Sequence, residues 1–96
     1  MGFRLSQAAQ EDVTSIAVFG IERFGIEQAH QYHMALFQVF DLLAENPRMA
    51  RDRREIDPPV RAHPFKSHVV IYRIDGPDIL IIRVRHGSED WRSEPE

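Results

Sequence analysis

From Lys66 to His86, two runs rich in Val, Ile and Tyr flank the cluster Asp75-Gly76-Pro77-Asp78. Gly reaches a positive φ at little cost and Pro holds φ at about −65°, so the cluster predicts the turn of a β-hairpin. With Asp75 opposite Asp78, the period of two along each strand places Ile74 opposite Ile79, Tyr72 opposite Ile81, Val70 opposite Arg83 and His68 opposite Arg85. Those eight residues share one face. The other carries Val69, Ile71, Arg73, Leu80, Ile82, Val84 and His86, nearly all apolar until the open end, and is expected to lie on the core. The first face, apolar near the turn and cationic at the open end, is expected to look outward to a partner, with ordinary solvent-side charges as the simpler alternative.

The rest of the chain supplies the layer that packs on this hairpin. Phe3-Arg4-Leu5-Ser6 alternates over a short span and predicts a strand. Ser6 then caps a helix from Gln7 to Phe24, along which Ala9, Val13, Ile16, Ala17, Gly20 and Phe24 recur at spacings of three and four. Gly20 permits close packing, and Gly25 supplies the stop. A second helix, Ile26 to Glu45, carries Ala29, Tyr32, His33, Leu36, Phe40 and Leu43 on one stripe and ends at Asn46-Pro47. Phe37 and Leu42 widen its apolar arc beyond what one neighbour would cover.

Arg48 to Glu55 has no apolar period and reads as an exposed basic loop. Pro58, Pro59 and Pro64 confine any following strand to Val60–His63 at a sheet edge. Residues 87–96 are polar and acidic apart from Trp91, and read as a loosely held tail. The order β-α-α-β-β-β predicts an α+β, two-layer domain, a helical hairpin packed on an antiparallel β-sheet, with residues 1–96 as a single unit.

Composition narrows the chemistry. At 96 residues one core can form without staples, and the absence of cysteine excludes disulfides and thiolate metal sites and suits a reducing cytoplasm. No apolar run is long enough for a membrane span or a signal-peptide core. The net charge of −3 conceals a basic middle: residues 48–73 hold 7 basic and 3 acidic side chains, against 2 and 6 before them and 3 and 6 after. A local basic patch on an acidic domain disfavours nonspecific nucleic-acid binding but leaves room for an acidic partner.

Five histidines raise the question of a metal. His30 and His33 lie at a helical spacing of three, but only His33 is on the apolar stripe and no carboxylate or thiol completes a set, so no metal or cofactor is expected. No serine or threonine stands in a recognisable nucleophile context. His68, Arg83, Arg85 and His86 could supply base, acid and cation for RNA cleavage, yet the group is incomplete alone.

An ordered series of short pieces resembles the ParE-type toxins of the RelE/ParE superfamily. It comprises Leu5-Ser6, Ala9, Asp12-Val13, Ile16, Phe24-Gly25, Gln28-Ala29, Tyr32, Leu36, Leu43-Ala44-Glu45-Asn46-Pro47, Met49, Arg61, Ser67 to Arg73, Ile82 to His86, and Asp90. Two departures both add positive charge: Arg83-Val84-Arg85-His86 stands where Arg-Val-Leu-His is usual, and Ala50-Arg-Asp-Arg-Arg54 where a Gly commonly follows the Met.

The resemblance implies the toxin of a bacterial type II toxin-antitoxin system, a cytoplasmic protein associated with plasmid stabilisation and stress response, with the RelE/ParE-like fold. In ParE-like members the target is DNA gyrase, inhibited by binding and not by catalysis. RelE-like members cut messenger RNA on the ribosome with lysines, arginines and a late tyrosine. Here Lys66 is the only lysine and no tyrosine follows Tyr72. Gyrase inhibition is therefore the expected function, with a RelE-type ribonuclease or a non-toxic remnant of the fold as alternatives.

The expected partners are a ParD-like ribbon-helix-helix antitoxin in a hetero-oligomer, gyrase, and DNA only through the antitoxin. Arg61, His68, Arg83, Arg85, His86 and Trp91 are the expected target-binding residues. Phe37, Leu42, Tyr72, Ile74, Ile79 and Ile81, read as large apolar side chains off the core, are expected to meet the antitoxin.

Overall fold

The helical layer forms where periodicity and caps place it. In the computed structural model, which describes residues 2–53 and 59–88, α1 spans Gln7–Phe24 and α2 spans Ile26–Glu45. Ser6 Oγ accepts the Ala9 N–H at 3.0 Å, satisfying one of the unpaired amides of the first turn. The only residue between the helices, Gly25, ends α1 by donating its N–H to the Ile21 carbonyl and starts α2 by accepting from the Ala29 N–H. Its φ of 90° and ψ of 162° lie where side chains are strained. Gly25→Ala is therefore expected to cost about 1–3 kcal/mol, read by urea denaturation. At Gly20 a Cβ would come within 3.2 Å of the Ala29 Cβ, so the helices approach where both residues are small.

Five strands form the second layer: β1 (Phe3–Leu5), β2 (Arg51–Arg53), β3 (Val60–Phe65), β4 (His68–Asp75) and β5 (Asp78–His86), in spatial order β1-β5-β4-β3-β2. The sheet is mixed, not purely antiparallel as expected, because β1 runs parallel to β5, with Phe3 beside Ile79 and Leu5 beside Ile81. The expected basic loop contains β2, which pairs Arg51, Asp52 and Arg53 with Ala62, Arg61 and Val60. Arg51-Asp52-Arg53 contains no apolar residue, so no alternation marks the strand and only its pairing with β3 defines it. β3 continues past His63 through Pro64 because β2 covers only Val60–Ala62, so proline's missing N–H falls on an open edge.

The hairpin keeps the expected register from Asp75/Asp78 to Tyr72/Ile81 and then changes it. A β-bulge after Tyr72/Ile81 makes Ile71 pair with Arg83, leaving Ile82 as the extra residue. Val70 therefore pairs with Val84, and His68 with His86, in place of Arg83 and Arg85.

The expected faces are exchanged along β4 and along β5 as far as the bulge, beyond which Val84 keeps the core side expected of it. Val70, Tyr72, Ile79, Ile81 and Val84 enter the main core with Leu36, Phe40 and Leu43 of α2. Ile71 and Ile82 lie on the reverse face in a smaller cluster with Val60 and Ala62, against which Val69 and Leu80 pack. Both faces are apolar in the middle, so alternation sets the period but not the side.

Candidate functional site

The bulge builds the open end of the hairpin. His68 and His86 become cross-strand neighbours, their ring centroids 5.5 Å apart and the rings steeply inclined at 74°. The Tyr32 hydroxyl of α2 lies 2.6 Å from His68 Nδ1, and the Tyr32 ring meets Phe65 edge-on at 5.2 Å. Lys66, at positive φ in the turn between β3 and β4, holds Nζ 5.4 Å from the Tyr32 centroid and 5.6 Å from that of Phe65. His86 Nδ1 lies 2.7 Å from Ser88 Oγ and accepts the Ser88 N–H. Beside the two imidazoles a cleft of about 260 Å³ is lined by Ser15, Ile16 and Phe19 of α1. An ammonium, two imidazoles and a phenol on an aromatic floor make a surface suited to gripping a partner.

Burial raises the Tyr32 phenol above its ordinary pKa, partly opposed by a backbone hydrogen bond at Ser67. Burial likewise raises Tyr72, opposed by a backbone hydrogen bond at Ala50 and by the Arg61 charge. A fold that holds these phenols neutral keeps the associated stability below about pH 10 and loses it as pH rises through the elevated folded values. Raising the pH from about 8 to about 11 is thus expected to lower the Tm of the parent more than that of a Tyr32→Phe, Tyr72→Phe double variant, read by circular dichroism.

The expected target-binding residues do not form one patch. His68 and His86 come together on the helical side. Arg85 pairs with Val69, which packs on the reverse face. Arg83 forms a bidentate ion pair with Asp12 of α1 at 2.7 and 2.9 Å. On the other side of β4, Arg61 donates from Nη1 to the Ala50 carbonyl at 2.8 Å and lies 3.7 Å from Asp52. Trp91 lies outside the described residues. Tyr32, Lys66 and Phe65 join this candidate site without having been expected there, since Tyr32 reads from its spacing as core, Lys66 as the start of the hairpin and Phe65 as lying past the Val60–His63 strand.

The expected antitoxin-binding residues are likewise redistributed. Tyr72, Ile79 and Ile81 are 0–1% exposed and cannot present a surface; the Tyr72 hydroxyl donates to the Pro47 carbonyl at 2.8 Å. Ile74 is half-buried, and Phe37 packs edge-on against Phe3 and Phe40. Leu42 is exposed, and so are Val18, Phe19, Ile21, Phe24, Ile26 and Met34 on the two helices, with Ile26 at 73%. Among the described residues no helix is long and apolar enough to cross a membrane, and no three metal-ligating side chains converge.

A family model for the ParE toxin of type II toxin-antitoxin systems matches residues 3–91. The chain is 35% identical to Toxin ParE1 of Caulobacter vibrioides over 91 residues, covering 95% of this chain and 94% of that protein. It is 36% identical to Toxin ParE1 of Mycobacterium tuberculosis over 89 residues, or 92% and 91% of the two chains. The fold matches a solved chain of the chromosomal ParDE system of P. aeruginosa with a TM-score of 0.73 over 90% of this chain and 95% of that one, at 22% identity. With the same succession of strand, helical hairpin and sheet along nearly its whole length, the chain belongs to the ParE toxin family of type II toxin-antitoxin systems.

Proposed function

We propose that the protein inhibits DNA gyrase by binding it, and that a cognate antitoxin of the ParD, ribbon-helix-helix type neutralises it in a hetero-oligomer. The observation that carries this reading is the match to the ParE toxin family over residues 3–91. The geometry agrees with a binding mode of action. The Tyr32 hydroxyl and His68 Nδ1 bond to each other, and the Arg83 guanidinium is held by Asp12, so groups that a metal-free nuclease would turn toward a scissile phosphate serve to join elements of the fold. The gripping surface in this reading is Lys66, His68 and His86 with the neighbouring aromatic rings. DNA is engaged only through the antitoxin.

The exposed apolar side chains of the helical layer support the antitoxin part of this reading. Val18, Phe19, Ile21, Phe24, Ile26, Met34 and Leu42 leave much apolar area on the helical layer exposed to water. A disordered antitoxin segment that folds on docking would cover such a surface.

The test is expression of the toxin alone and with its neighbouring antitoxin gene in living cells. Growth arrest with early induction of the DNA-damage response, relieved by the antitoxin, is the expected outcome. Arrest that begins with translation would instead support the ribonuclease reading, and unimpeded growth would support a remnant.

A further inference from the structure

β1 covers the outer edge of β5 only as far as Ile81, and beyond it that edge is closed by side chains. The Ser6 N–H donates to the Ile81 carbonyl at 2.9 Å, and Ser6 Oγ donates to the carbonyl of Ile82, the bulge residue, at 2.7 Å. The Val84 N–H donates to Asp12 Oδ2 at 3.0 Å, and the same carboxylate takes both Arg83 contacts. Asp12 is well shielded, at 15% side-chain exposure, which strengthens charge-assisted hydrogen bonds.

We infer that Asp12 is a positioning residue for the open end of the hairpin: by holding the Val84 N–H and the Arg83 guanidinium together it fixes the bulge at Ile82, and the bulge brings His86 opposite His68. An unbulged register after Tyr72/Ile81 would pair His68 with Arg85 and put His86 on the reverse face, because a slip of one residue turns every later side chain over. Burial of Val84 in the core favours the bulged register as well. It acts on the side chain alone, however, and cannot satisfy the amide that the missing strand leaves open. Asp12 does both tasks from one turn of α1, and so ties the placement of the two imidazoles to the helical layer. The functional consequence rests on the reading of this end as the surface that meets gyrase.

The test uses the purified full-length protein and its Asp12→Ala and Asp12→Asn variants, with Asp75→Ala as control. Asp75 pairs with Arg4 at the closed end of the hairpin, on the surface, away from the bulge. NMR reads two local quantities: the contact between the His68 and His86 rings, and exchange of the Val84 amide. Inhibition of gyrase and affinity for the antitoxin are measured alongside.

In Asp12→Ala the ring contact is expected to disappear and Val84 exchange to accelerate about tenfold or more, with the Ile79 and Ile81 amides unchanged. Gyrase inhibition should weaken about tenfold, with antitoxin affinity within about twofold of the parent. Asp12→Asn keeps an acceptor for Val84 but loses the charge, and is expected to fall between; it also serves if the alanine variant does not fold. Asp75→Ala should match the parent in every readout. A lower Tm with an intact His68–His86 contact would overturn the inference, since a merely structural Asp12 behaves that way. Loss of the contact with undiminished gyrase inhibition would uphold the positioning and refute the assignment of the target surface.

Discussion

Phe40→Ala is expected to destabilise the fold by about 3–5 kcal/mol, the range for emptying an aromatic site in a packed core. Phe40 is fully buried, and its ring meets Phe3 edge-on at 5.3 Å and Phe37 at 5.0 Å, so it joins α2 to β1 through three rings. Each such aromatic pair contributes about 0.5–1.5 kcal/mol beyond the area it buries. Domains of this size are stable by only about 5–15 kcal/mol, so the variant should lose a large part of its margin. Urea denaturation measures it directly. Leu42→Ala, on the same helix but at an exposed position, should cost under about 1 kcal/mol. Similar losses at the two positions would contradict the assignment of the core.

The second large effect concerns the antitoxin. Phe19 and Ile26 are 56% and 73% exposed, on different helices that meet at Gly25. Replacing both by Glu should leave the fold within about 1 kcal/mol of the parent, because neither side chain fills the core. It should weaken antitoxin binding about 100-fold, equivalent to about 2.7 kcal/mol, because a charge facing an apolar partner is left without its hydration. Isothermal titration of the purified pair checks this. Unchanged affinity would place the antitoxin elsewhere, with Leu42 and Phe37 the next residues to test.

Local signals made much of the architecture legible. Both helices have the expected ends because Ser6, Gly25 and Asn46-Pro47 act on the backbone within a turn of where they stand. The hairpin turn and the pairing up to Tyr72/Ile81 were readable for the same reason, since Gly76 adopts the positive φ its position demands. What escaped reading depends on distant partners. The bulge coincides with the end of β1's coverage and is held by Ser6 and Asp12, some seventy positions earlier in the chain. The two hairpin faces differ too little in hydrophobicity for the helical layer to be assigned to one of them, so the faces were exchanged.

β2 has no apolar residue, and only its pairing with β3 makes it a strand. The candidate site shared this fate. His68 and His86 were recognised as members of one group, but the register that joins them separates them from Arg83 and Arg85. Tyr72, Ile79 and Ile81 read as available for a partner from alternation alone, but the helical layer packs on their face and buries them.

The most direct measurement of the central claim is a supercoiling assay with purified gyrase, run beside a ribosome-dependent messenger RNA cleavage assay using the same toxin preparation. The account expects supercoiling to stop when toxin is added, to resume when the antitoxin is supplied in equal amount, and the RNA to remain whole. Unaffected gyrase together with cleaved RNA would contradict it.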